Sequence, residues 1–114
     1  MIEKQIAPHG SWKSPITTRL VVNKASSRFK FGGMVIDGED VYWREVRPLE
    51  GGRYVVVRRT PDGRTIDVNP APYNVRTRVH EYGGTSFTVS EGVMYFVNFP
   101  DQRLYRLEPG GEPV

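Results

Sequence analysis

Apolar and polar positions along the chain fall into short blocks separated by turn dipeptides, and the blocks are strand-length. Phe31 to Ile36 reads as one strand. Asp37-Gly38-Glu39-Asp40 follows as a tight hairpin turn, because Asp-Gly tolerates the positive φ that such turns require. Val41 to Val46 is a second strand and Pro48 to Gly52 a loop. Tyr54 to Arg59 is a third strand, and Pro61-Asp62-Gly63 is a turn. Thr65 to Val68 alternates polar and apolar, as a half-exposed edge strand does. The pattern then breaks for sixteen residues, Asn69 to Gly84. Pro70 and Pro72 oppose regular pairing there, Arg76, Arg78, His80 and Glu81 make the segment polar, and Gly83-Gly84 supplies a sharp turn. The strand pattern restarts with Thr85 to Val89, Val93 to Val97 and Arg103 to Leu107, divided by the turn at Ser90-Glu91-Gly92 and the loop at Asn98 to Asp101.

The two blocks of strands are one unit written twice. Phe31-Gly32-Gly33 answers to Tyr82-Gly83-Gly84 at a shift of 51, and Tyr42-Trp43 answers to Tyr95-Phe96 at a shift of 53. Arg58 to Gly63 answers to Arg106 to Gly111 at a shift of 48. Strand order and turn chemistry are kept while loop lengths drift. A period of about 50 residues with three or four short strands marks a β-propeller blade. The second strand of each unit is apolar without clean alternation, as expected where neighbouring sheets cover both faces. The expected fold is therefore all-β: antiparallel propeller blades, about one and three-quarters of them, behind an irregular or short-helical lead-in. The division is a lead-in at 1–28, blade 1 at 29–68, a crossing segment at 69–84 and an incomplete blade 2 at 85–114, whose Val114 falls where Ile66 stands in the first unit. Within the lead-in, Ser14-Pro15 is a plausible helix start, and Ile16 to Val22 reads as helix or strand.

Composition narrows the classes. The chain has 114 residues, 38% hydrophobic and 25% charged, which fits one globular domain at most. No apolar run reaches the length of a membrane span, and the polar start, Met1 to Gln5, has no signal-like apolar core behind it. A cytoplasmic location is the default expectation. The absence of cysteine excludes disulfides and thiolate metal sites. The net charge is +3, but the bases are dispersed and many lie beside acids. Nucleic-acid binding calls for a basic face or stripe, so neither nucleic acid nor membrane is expected as a partner.

The segment Arg78-Val79-His80-Glu81-Tyr82-Gly83-Gly84 gathers a base, an imidazole, a carboxylate and a phenol. Adjacent residues on an extended chain point in opposite directions, so His80 and Glu81 make a poor catalytic or metal pair. Two histidines without cysteine are also a weak ligand set, and no metal or cofactor is expected. Ser86 is close to His80 in sequence but lacks a strained nucleophile elbow. Arg76, Arg78 and His80 alternate, which puts them on one face of an extended segment with Glu81 opposite. These four are the candidates for contact with a substrate carboxylate or a domain interface, since the arginine fork matches carboxylates. The plainer alternative is structural, with Glu81 paired to an arginine and Tyr82 packed between blades. Trp43, Tyr42, Tyr95 and Phe96 read as inter-blade packing.

Several stretches together resemble the start of bacterial prolyl oligopeptidase-family serine peptidases of the acylaminoacyl-peptidase-like kind. They are Ala7 to Ile16, Asp37 to Trp43, Arg58 to Gly63, Asn74 to Gly84 and Asp101 to Tyr105, and His80-Glu81-Tyr82-Gly83-Gly84 is the most specific. The resemblance implies an N-terminal propeller that gates and scaffolds a C-terminal α/β-hydrolase domain carrying the Ser-Asp-His triad. It also implies a peptide substrate reached only through that parent. No Gly-x-Ser-x-Gly elbow occurs in these residues, so the resemblance implies no catalytic residue here and an isolated chain that is not an enzyme. The competing expectation is a free-standing β interaction module. Exposed blade faces and unpaired sheet edges favour association, so self-association is expected of the chain alone.

Overall fold

A computed structural model describes residues 6–11, 13–19, 33–80 and 84–114. Among the described residues, seven strands form two antiparallel sheets. The first contains β1 (Val35–Asp37), β2 (Asp40–Arg47), β3 (Arg53–Arg59) and β4 (Thr65–Asp67) in spatial order β1-β2-β3-β4. The second contains β5 (Phe87–Ser90), β6 (Val93–Val97) and β7 (Leu104–Leu107) in order β5-β6-β7. Each sheet is an up-and-down meander, as in a propeller blade, and the expected all-β fold of one complete and one partial blade is what the chain adopts.

The turns explain the registers. Asp37 pairs with Asp40 across a two-residue loop, and Gly38 takes φ 61 at its first position. Ser90 pairs with Val93 across Glu91-Gly92, both at positive φ (52 and 78). Positive φ at both positions is the geometry whose twist matches paired strands. Between β2 and β3 a single 3-10 turn, Pro48–Glu50, leads into Gly51 and Gly52 at φ 66 and 77.

The sequence repeat survives as hydrogen bonding. Arg58 pairs with Ile66 in the first sheet. In the second, Arg106 and Val114 exchange both backbone bonds, at 2.8 and 3.0 Å. Val114 thus occupies in blade 2 the register that Ile66 holds in blade 1.

The core lies between the sheets. Tyr42 and Val56 of the first sheet meet Phe87, Val89, Met94, Phe96 and Leu107 of the second, with Val75 of the crossing segment among them. Tyr73 and Tyr105 close the layer around Phe96, their ring centroids 5.9 and 5.6 Å from it. Coverage of both faces was expected of the second strands, but β6 alternates instead: Met94 and Phe96 are buried, while Tyr95 between them is 37% exposed. Among the described residues, β3 is buried on both faces, with Val55, Val56 and Val57 all buried. It is the third strand of its blade. The Tyr95 face of β6 has no second sheet against it among the described residues.

In the lead-in, Thr18 and Arg19 are helical. The Ser14 hydroxyl accepts the Ile16 N–H at 3.0 Å, a local turn placed before the helical residues rather than the cap of the first turn. Residues 20–32, which carry the last three residues of the undecided segment and the Phe31-Gly32 part of the repeat, lie outside the described residues.

The sheets are joined at both ends. At the hairpin-turn end, the Asp37 carboxylate accepts the N–H groups of Glu91 (3.2 Å) and Gly92 (2.7 Å). The left-handed Glu91-Gly92 turn is what aims both donors at one carboxylate. Asp37→Ala is expected to lower stability by about 2 kcal/mol, since two charge-assisted bonds are lost and their donors are left without this acceptor. A urea denaturation midpoint equal to that of the parent chain would contradict that role.

Candidate functional site

At the opposite end of the sheets lie the β2–β3 loop, the β6–β7 loop and the crossing segment. The sequence expectation of a segment that avoids pairing fails between Asn74 and Arg76. Val75 donates to Tyr54 O at 3.0 Å, Arg76 to Val97 O at 3.2 Å, and Phe99 to Asn74 O at 2.8 Å. The segment is inserted as an extended piece between the start of β3 and the end of β6. The prolines restrict only its first part, where Ala71–Pro72 is cis.

Three carboxamides fasten it. The Asn69 Oδ1 accepts the Val56 N–H at 2.7 Å, and its Nδ2 donates to Tyr73 O at 2.8 Å and Tyr54 O at 3.3 Å. Asn74 Oδ1 accepts the Tyr54 N–H, and Asn98 Oδ1 accepts the Asn74 N–H, both at 3.0 Å. Asn69 and Asn98 are buried. Sequence reasoning passed over all three, because asparagine in a loop reads as turn chemistry and carries no periodic signal.

The extended backbone places Arg76 and Arg78 on one exposed face with Thr77 buried between them, as the alternation predicts. The alternation stops at His80, whose φ of 58 turns the chain, so His80 does not continue that face. Glu81 lies outside the described residues, as does Tyr82. Both arginines stack on Phe99 of the β6–β7 loop, with guanidinium carbons 4.5 Å (Arg76) and 4.9 Å (Arg78) from the ring centre. Arg76 also lies 5.6 Å from the Tyr54 ring, and Arg44 lies 4.7 Å from the same ring. Stacking of this kind favours arginine over lysine because its charge is planar and weakly hydrated.

Arg44 was not singled out from the sequence, although the signal was there. It stands two residues after the buried Tyr42, so strand periodicity puts it on the core face. It enters the inter-sheet layer beside Gly33, where a Cβ would come within 3.4 Å of the Arg44 Cβ and 3.5 Å of Phe87. Its Nη1 donates to Ser86 Oγ and, at 3.5 Å, to Val75 O, and the Ser86 hydroxyl donates on to Val75 O. The Nε is buried without a partner among the described residues. Burial lowers the pKa of Arg44, and the nearby charge of Arg76 adds to that effect. The buried Ser86 hydroxyl is therefore committed to Arg44 and Val75.

A cleft of about 530 Å3 lies elsewhere, lined by Tyr42, Arg58, Asn69, Leu107 and Pro109 among others. Arg58 is already held there by Asp40, and Arg76, Arg78 and His80 do not line it. Among the described residues, no group of three or more His, Asp or Glu side chains is placed to hold a metal ion. No helix among them is long and apolar enough to cross a membrane.

Comparison with known proteins places this geometry. A crystal structure of puromycin hydrolase matches 95% of the chain at 40% identity with a TM-score of 0.79. A puromycin-hydrolyzing peptidase of Mycobacterium tuberculosis matches 96% at 38% identity, also with a TM-score of 0.79. An S511A mutant of puromycin hydrolase complexed with PGG matches 95% at 40% identity with a TM-score of 0.80. In each case the chain spans 17% of the length of the matched structure. No family model and no curated protein matches. The chain is homologous to the N-terminal part of these peptidases.

Proposed function

Since the chain belongs with the puromycin hydrolases in the prolyl oligopeptidase family, we propose that it is the opening portion of a propeller that scaffolds and gates a hydrolase domain. The parent is a serine-type peptidase that acts on puromycin and short peptides, in the cytoplasm. The observation that carries this reading is the stacking of two meander sheets over one shared core, combined with 40% identity across 95% of the chain. The blade division at 29–68, 69–84 and 85–114 belongs to the same proposal. Residues 69–84 deliver the chain from the outer strand of one blade to the inner strand of the next, and Arg76 and Arg78 face the channel or the hydrolase domain. The reading frame is expected to continue through further blades to a Gly-x-Ser-x-Gly elbow. The full-length product is expected to hydrolyse puromycin and short peptides while sparing folded proteins. A complete gene product without an elbow, or one that cleaves folded proteins as fast as short peptides, would sink the proposal.

A second reading is favoured by exposed apolar side chains. Ile36 is 71% exposed and Leu104 70%, one on each sheet. Surfaces of this kind drive association, so the 114-residue chain alone is proposed to self-associate through its blade faces and edges. Purified chain is expected to show no puromycin hydrolysis and, in light scattering, a mass above the 13.0 kDa monomer. A monodisperse monomer with a cooperative melt would overturn the self-association.

A further inference from the structure

Among the described arginines, two groups differ in their partners. Arg47, Arg53, Arg58, Arg64 and Arg106 each rest on a carboxylate within 3.2 Å. Arg44, Arg76 and Arg78 have no carboxylate within ion-pair distance among the described residues, and instead alternate with two rings: Arg44, Tyr54, Arg76, Phe99, Arg78. Five residues from β2, β3, the crossing segment and the β6–β7 loop thus converge on one end of the sheets.

Like charges gathered this closely repel, and partial burial strengthens the repulsion. The rings offset part of it, but a ring face supplies no hydrogen-bond acceptor for the guanidinium edge. Among the described residues, the guanidinium hydrogen bonds of these three arginines are made by Arg44, to Ser86 and Val75. Arg76 and Arg78 are exposed residues, side by side on one face of an extended segment, with their guanidinium groups stacked on Phe99. Two fixed planar forks behind which a third cation is anchored form a receptor for a planar anion that can bridge them.

We propose that Arg76 and Arg78, backed by Phe99 and by the Arg44–Tyr54 pair, bind a carboxylate presented by a peptide. The proposal goes beyond the propeller reading and stands on side chains of this chain alone, so it holds or fails whatever the parent hydrolyses. The carboxylate has two possible sources, a chain terminus or an acidic side chain, and the probes separate them. The full chain, labelled with 15N, is titrated at constant ionic strength with acetyl-Ala-Ala, with acetyl-Ala-Ala-amide and with acetyl-Ala-Glu-amide. The Arg76 and Arg78 Nε–H signals are expected to shift saturably with a carboxylate-bearing probe and not with acetyl-Ala-Ala-amide. A response to the first probe alone identifies a terminal carboxylate, and a response to the third identifies a side-chain carboxylate. Arg76→Gln/Arg78→Gln is expected to weaken the binding at least tenfold, and both sites are exposed, so the fold is retained. Arg103→Gln, at an exposed position outside the ladder, is expected to leave it unchanged. Equal shifts with the neutral amide, no saturation, or unaltered binding in the double variant would overturn the proposal.

Discussion

Asn69→Leu is expected to lower the stability of the chain by about 3 kcal/mol, read as a loss in denaturation midpoint at unchanged slope. Leucine keeps the branched heavy-atom skeleton of asparagine and is normally welcome in a buried position, so shape alone predicts a mild effect. The hydrogen bonds decide otherwise. One carboxamide accepts from Val56 N–H and donates to the carbonyls of Tyr54 and Tyr73. It sits at 2% exposure, where water cannot take over. Each polar group left unpaired in such a place costs about 1–3 kcal/mol, and leucine leaves the strongest two, at 2.7 and 2.8 Å, without this partner. Asn69→Asp separates polarity from donation: the aspartate still accepts from Val56 but turns an acceptor toward two carbonyls, so it too is expected to destabilise. A variant Asn69→Leu as stable as the parent chain would show that the carboxamide fills space and nothing more.

Phe96→Ala is expected to have the largest effect of any single truncation, about 4 kcal/mol by the usual cost of removing a buried phenylalanine. Its ring is wholly inaccessible and sits between the edge of Tyr73 and the stacked ring of Tyr105. Those neighbours come from different elements, the crossing segment and β7, so the hole cannot be closed by sliding one strand. Typical domains are stable by about 5–15 kcal/mol in total, and such a loss takes much of that margin. Phe96→Leu, which keeps most of the volume, is expected to cost less than half as much. Equal losses for the two variants, measured by chemical denaturation, would argue against a cavity as the cause.

Much of this was legible in the sequence, and the reasons are physical. Strands were readable because Asp37-Gly38 and Glu91-Gly92 mark turns that only a few residues tolerate, and because β5 alternates strictly, with Phe87 and Val89 buried and Thr88 and Ser90 exposed. The stacking of two units was readable from the repeat itself. What stayed hidden was long-range and polar. Nothing local announces that Asn69 reaches back thirteen residues to Val56, or that Asp37 reaches forward to Gly92. The face shared by Arg76 and Arg78 followed from a two-residue period, and His80 left it because one left-handed residue is invisible to periodicity. Arg44 was hidden for the opposite reason: a charged residue in a strand is ordinarily assigned to solvent, and here the aromatic ladder keeps it inside.

The two-point joining of the sheets bears on how the molecule breathes. A panel pinned at one end can swivel, whereas a panel pinned at both must release a pin before it moves. The pin at the Val75 end is woven from backbone bonds to Tyr54 and Val97 and from buried carboxamides. The pin at the turn end is one half-exposed aspartate holding two amides. The turn end therefore opens first, and the separation of the blades proceeds from it as a hinge whose axis lies along residues 74–76. Hydrogen exchange follows that order, earliest at Glu91 and Gly92 and last at Val75, so this piece of propeller has a built-in direction of opening.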